Sequence, residues 1–293
     1  MSGRVYTMGI NIRTNIPSLE SQRYLNASTQ RLRSAYARLS SGLRITTVSD
    51  DAAGLAIAEQ LRADSRIASV AIRNANDGIS IIAITDGAMN EITNVLVRMA
   101  ELAEQSANGV FSTVQRSALQ QEFTDLASEI ERIAMTTEFN DLSLLSGGAQ
   151  VVFQVGFDGS ATSQVSYSGV EATLASLGLA PSGSSILIYS LNADTYVAAQ
   201  QGARMALDAV KIAINSITTS RGGLGAAESR LNVAILNLQV ARENFQSAES
   251  RIRDVDVAAE AAELTRLNIL QQAAAAVLAQ ANQQPTLALS LLQ

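Results

Sequence analysis

The chain has 293 residues, a formal net charge of −6, 47% apolar residues and only 4% aromatic ones, with three prolines and no Cys, His or Trp. Without Cys or His there is no thiolate nucleophile, no Ser–His–Asp triad, no HExxH motif and no ordinary zinc site. Basic residues are scattered among acids and no apolar run reaches about 18 residues, so neither nucleic acid nor a membrane is an expected partner.

In chain order, the first apolar stripe is Leu25, Thr29, Leu32, Tyr36, Leu39 and Leu43, with Pro17 at its outer limit. "SDDAAGLAIA" at 49–58 follows, and its Asp50 and Asp51 read as the start of a helix rather than a catalytic pair. Leu61, Ala68, Ala71, Ala75, Gly78, Ile82, Met89, Ile92, Leu96, Met99 and Ala103 then keep one 3-4 register, with Thr85 and Asp64 as its polar lapses. No proline interrupts it, so about 50–107 is expected to be one rod, roughly 85 Å long. Within it Asn74, Asn76, Asp77 and Gly78 form a small polar patch, read as a seam between subunits. Ser112 or Thr113 caps a shorter helix carrying Leu119, Phe123, Leu126, Ile130 and Ile133.

Here the period changes. "QVVFQVGFDG" (150–159) and "SSILIYSLNA" (184–193) are short β-like runs, and about 140–200 is expected to form a β-rich tip, with 158–185 as its loop. The Gly-rich "SGGAQ" (146–150) and "SRGGLGAA" (220–227) lack the spacing of a phosphate loop. Leu207, Val210, Ile214, Ile217, Leu224, Leu231, Ile235, Leu238, Phe245 and Ile252 hold a second long register straight through the glycines. The last stripe is Leu267, Leu270, Ala274, Val277 and Ala281, with Pro285 at its limit. The fold class expected is mainly α: a long antiparallel rod with coiled-coil-like packing, paired terminal helices at one pole and a small β-rich tip at the other. Two striped ends bury little by themselves, which marks a chain built to assemble.

"RLSSGLRI" (38–45), "DDAAGLAIA" (50–58), "NANDGIS" (74–80), "SRIRDVD" (250–256), "ILQQA" (269–273), "VLAQANQQP" (277–285) and "LSLL" (289–292) resemble bacterial flagellin in order and spacing. "EFNDLSLLSGG" (138–148) and "RGGLGAAESRL" (221–231) resemble inner landmarks of that family. About seven extra residues precede the stretch at Ile12-Arg13-Thr14-Asn15, and Met8 is an alternative start.

The resemblance implies a secreted, extracellular, self-assembling subunit of the motility filament, not an enzyme and without a cofactor. Residues 1–48 and 254–293 would form the inner core, with Leu25, Leu32, Leu39, Leu267, Leu270 and Val277 as assembly contacts. Residues 49–150 and 200–253 would build the outer wall, and 151–199 a short variable tip. Terminal segments 1–45 and 255–293 are expected to be disordered in a lone subunit and to order on polymerisation. Implied partners are further copies, a secretion chaperone at the C-terminal segment, the type III export apparatus, and the filament cap and hook-junction proteins. "LVRMAELAEQSANG" (96–109) resembles the segment read by Toll-like innate receptors, so Arg98, Leu102 and Glu122 would be contacts, with Ala100 where a second Arg is usual. The loop 158–185 is read as solvated turns tolerant of insertion, with Ser160, Thr162, Ser163, Ser166 and Ser168 as glycosylation candidates. The alternatives are a hook–filament junction protein and a secreted coiled-coil adhesin; carboxylate-based hydrolysis is a distant third.

Overall fold

The computed structural model describes residues 14–148 and 150–290. The Met8 start, the residues before Thr14, and Leu291 and Leu292 of the closing motif lie outside the described residues. Five helices hold most of the chain: α1 (Ile16–Ser41), α2 (Ala52–Ala107), α3 (Thr113–Thr136), α4 (Tyr196–Arg253) and α5 (Val257–Ser290). Strands β1 (Glu138–Phe139) with β2 (Leu142–Ser143), and β3 (Val151–Gln154) with β4 (Gln164–Tyr167), make two antiparallel hairpins. The mainly-α reading holds. The chain divides into two compact units, 1–63 with 244–293, and 64–243. Both divisions fall inside helices, α2 and α4.

In the unit 64–243, every expected register position of α2 from Ala68 to Ala103 is buried. Thr85 is buried too, and its hydroxyl donates to the Ile81 carbonyl at 2.8 Å. α4 answers from the opposite direction with Ala203, Ala206, Val210, Ala213, Ile217, Leu224, Leu231 and Leu238. Each fully buried Leu, Ile, Met or Phe contributes about 1.5–3 kcal/mol. The Asp86–Arg221 pair across the same two helices, 2.7 Å long and partly exposed, is worth at most about 1 kcal/mol. Apolar packing therefore decides the pairing, and the ion pair trims its register. The same packing carries α4 through Gly222, Gly223 and Gly225, each about 1 kcal/mol less favourable than Ala in a helix.

The expected distal tip is corrected. Strands β3 and β4 lie against the middle of α2, where Asn74 Nδ2 donates to the Gln154 carbonyl at 3.1 Å. Gly78 makes the approach possible: a Cβ there would meet the Phe153 ring and Leu231 Cδ1 at 3.1 Å. Asn74 and Gly78 thus serve packing within the chain, and only Asn76 and Asp77 of the expected seam face outwards. The run 184–193 forms no strand. It is an extended cover over α2 and α3, fixed where Ser106 Oγ donates to the Leu191 carbonyl at 3.0 Å. Residues 170–180 also belong to the core, with Val170, Ala172, Leu174, Leu177, Leu179 and Ala180 buried. The stretch expected to tolerate insertion therefore shrinks to two exposed turns, near Gly159 and near Ser182.

In the other unit, α1 and α5 run antiparallel. Their seam is thin: Leu32, Ala35 and Leu267 are buried, with Leu264 packed beside them. On α5 the inward positions are Leu264, Leu267, Gln271, Ala274, Leu278 and Ala281. Leu270 and Val277, expected on the same stripe as Leu267, are 44% and 57% exposed. The helix is apolar nearly all round, so periodicity alone could not choose its inner face; the Gln271–Thr29 hydrogen bond, 3.1 Å, marks it.

Pro285 does not end α5, which continues to Ser290. A proline inside a helix leaves the carbonyl four residues back without its amide partner. Here that carbonyl belongs to Ala281, and Asn15 Nδ2 donates to it at 2.8 Å. The Oδ1 of the same Asn15 caps α1 by accepting the Ser18 N–H at 3.1 Å. Asn15→Asp retains the cap but sets an acceptor against an acceptor, and should cost about 1–3 kcal/mol. In a Pro285→Ala background the cost should largely vanish, because the helix supplies its own N–H. Urea denaturation of filaments of the four variants checks this coupling; an equal cost in both backgrounds would show that Asn15 does not serve that carbonyl.

Candidate assembly surfaces

The two carboxylates of "SDDAAGLAIA" do different work. Asp51 caps α2: its Oδ1 accepts the Gly54 N–H at 2.9 Å. Gly54 leaves room for that carboxylate, since a Cβ there would press on Asp51 and crowd Ile45. Asp50 instead organises the preceding turn, its Oδ2 accepting the Thr46 and Thr47 N–H groups at 3.1 Å each and the Thr46 hydroxyl at 3.0 Å. Helix capping was thus expected of both and is found for one. Those bonds, the Thr47 N–H first, hold the Asp50 carboxyl down to about 2 from its ordinary 3.8. Because the folded value is the lower one, the clasp is intact above pH about 4 and lost only as pH falls towards about 2. The Thr46 and Thr47 amide shifts should therefore titrate with a midpoint near 2; a midpoint at the ordinary 3.8 would contradict the clasp.

Two motifs about 200 residues apart close on each other beside this turn. The Arg44 N–H donates to the Arg253 carbonyl at 2.6 Å, and the Val255 N–H donates to the Gly42 carbonyl at 3.0 Å. The Arg44 guanidinium reaches the Ile252 carbonyl at 2.6 Å, and Arg253 pairs with Glu59 at 2.8 Å. "RLSSGLRI" and "SRIRDVD" are thereby one structural joint.

Of the six expected assembly residues, Leu32 and Leu267 are buried and Leu25 and Leu39 half-buried within the chain. Leu270 and Val277 stand outside, next to Ile269, which is 61% exposed. In the other unit α4 repeats the pattern: Val233, Leu236 and Val240 make a second, exposed stripe beside the buried Leu231 and Leu238. A helix with apolar residues on two faces satisfies only one of them inside a single chain.

The expected receptor face is corrected. Leu102 is fully buried, because it lies on the core side of α2. Arg98 is exposed and engaged, at 2.7 Å from Glu122 and 3.0 Å from Glu101. Among the glycosylation candidates, Ser160, Thr162 and Ser168 are exposed. Ser163 donates to the Asp158 carboxylate against Gly156, and Ser166 accepts from Gln150 at 3.0 Å, so both are less accessible. Sequence reasoning missed Arg116, a fully buried guanidinium over the Tyr196 ring, 4.6 Å from its centroid. A lone Arg among polar residues gave no periodic signal.

Long helices with surplus apolar faces define a structural protein that polymerises. Residues 12–150 match the bacterial flagellin N-terminal helical region, and 207–292 match the bacterial flagellin C-terminal helical region. A flagellin from Halalkalibacterium halodurans is 41% identical, covering 96% of this chain and 99% of that one. Polar flagellin A of Vibrio parahaemolyticus is 34% identical over 97% and 100%. In fold, the chain resembles a proposed flagellar hook-associated protein from Vibrio parahaemolyticus, with TM-score 0.58, 13% identity, and coverage of 70% of this chain and all of that one. The chain belongs to the bacterial flagellin family, and its role is that of a structural subunit of the flagellar filament.

Leu270→Asp and Val277→Asp should abolish polymerisation while leaving the subunit's helix content unchanged, since each puts an uncompensated charge only where another copy would cover it. Circular dichroism and sedimentation check this. Normal filaments from either variant would remove that face from the assembly.

Proposed function

We propose that this chain polymerises through the apolar faces that α5 and α4 leave open, with residues 1–48 and 254–293 on the inside of the filament and 49–150 and 200–253 in its wall. The exposure of Leu270 and Val277 on a helix whose other face is already seated carries this reading. Residues 151–199 face outwards as a compact cover, displaying Ser160, Thr162 and Ser168. The protein is secreted and works outside the cell, and passage through a type III export apparatus suits helices held by so thin a seam. A secretion chaperone covers the C-terminal segment before export, and cap and hook-junction proteins meet the ends of the polymer. A Toll-like receptor would read the Arg98–Glu122 pair, without Leu102.

The hook–filament junction alternative is disfavoured, because the 41% identical flagellin matches over nearly both whole chains, whereas the hook-associated likeness is one of fold. Electron microscopy of the purified chain after seeding tests the proposal. Long filaments of uniform diameter are expected; growth that stops after a few layers would favour the junction role, and no growth would contradict both.

A further inference from the structure

The turn between α2 and α3 holds the only Asn–Gly pair in the chain, Asn108–Gly109. Both residues are exposed. The Gly109 N–H has no hydrogen-bond partner among the described residues, so its nitrogen is not tied into a helix or strand. Glycine adds no Cβ to hinder approach to the neighbouring side chain. The Asn108 Oδ1 accepts the Val110 N–H at 3.3 Å, which polarises the amide carbonyl. A nucleophile, an electrophile and solvent access therefore coincide at one peptide bond.

What lies behind this turn gives the chemistry a consequence. Arg116 is 1% exposed, and its guanidinium donates to the Asn108 carbonyl at 3.0 Å and to the Tyr196 carbonyl at 3.4 Å. Its Nε has no partner, and no carboxylate pairs with it among the described residues. A buried cation held only by carbonyls and a ring is undercompensated. Asn108 also lines an open groove of about 910 Å³ that already carries Glu101, Glu104 and Arg204, so a new charge there would be accessible.

We propose that Asn108–Gly109 is a site of spontaneous deamidation that sets the strength of the Arg116 latch. The Gly109 nitrogen attacks Asn108 Cγ, a C–N bond forms, and the side-chain nitrogen leaves as ammonia, taking up the proton that the attacking nitrogen releases. Water then opens the five-membered imide at one of its two carbonyls. Opening at the main-chain carbonyl gives isoaspartate: the backbone is rerouted through Cγ and lengthened by one carbon, and the carbonyl that Arg116 holds becomes a free carboxylate outside the chain path. Opening at the side-chain carbonyl gives aspartate, which keeps that carbonyl and adds a counter-charge near the guanidinium. The reaction consumes only water and is base-promoted, since the attacking nitrogen must lose its proton.

The intact chain, aged at mildly alkaline pH and analysed by peptide mass and by isoaspartyl methyltransferase labelling, tests this. Asn108 should convert ahead of every other asparagine, and Gly109→Ala should slow conversion by about an order of magnitude. That variant should fold, because the added Cβ meets only the ends of the Tyr196 and Gln200 side chains, at 3.1 Å. Asn108→Asp should raise the urea midpoint. Survival of the Asn108 amide while other asparagines convert, or an unchanged rate in Gly109→Ala, would overturn the modification site. A lowered midpoint in Asn108→Asp would overturn the latch.

Discussion

The apolar register shared by α2 and α4 is the constraint on which the rest of the unit 64–243 depends. It places Met89, Ile92, Leu96 and Met99 against Val210, Ala213 and Ile217 without interruption by proline, and small residues let the helices approach. Everything else in that unit is fitted to this pair. α3 adds Phe123 and Ile130 to the same core, and its start is fixed by the Ser112–Gln115 capping box. The β3–β4 hairpin sits where Gly78 lowers the surface of α2. The extended cover crosses α4 where Gly202 leaves room for the Ser190 carbonyl.

The unit formed by α1 and α5 follows the opposite economy. Its clustered core is Leu32, Ala35 and Leu267, with Ile45, Ala58 and Ala281 buried singly elsewhere, a few kcal/mol of apolar burial against about 1–2 kcal/mol of backbone entropy for each ordered residue. The polar ties at its ends, Asn15 to Ala281 and Arg44 to Arg253, fix register more than they add stability. Such a pair becomes stable by burying more surface, and its open faces carry that surface in Ile269, Leu270 and Val277. In the assembly proposed above, polymerisation would also complete the folding of this unit.

The long helices were legible because sequence period and structure share one cause, burial of one face. Register positions from Ala68 to Ala103 and from Leu207 to Leu238 came directly from spacing. The inner face of α5 was not legible, because alanines make several faces equally apolar and only Gln271 breaks the tie. Pro285 misled for a physical reason: the rule that proline ends a helix assumes an unpartnered carbonyl, and Asn15, far away in sequence, partners it. The run at 184–193 has strand-like composition and no strand to pair with, so tertiary packing overrode propensity. The tight β1–β2 hairpin was readable and passed over; Asn140 and Asp141, both at positive φ, suit the two-residue turn.

Amide exchange along α5, compared between the lone subunit and the polymer, tests most directly whether assembly completes this fold. The account predicts rapid exchange across 264–281 in the dilute subunit and strong protection of the same amides in the filament. Strong protection in the dilute subunit would contradict it, because the α1–α5 seam would then be sufficient alone.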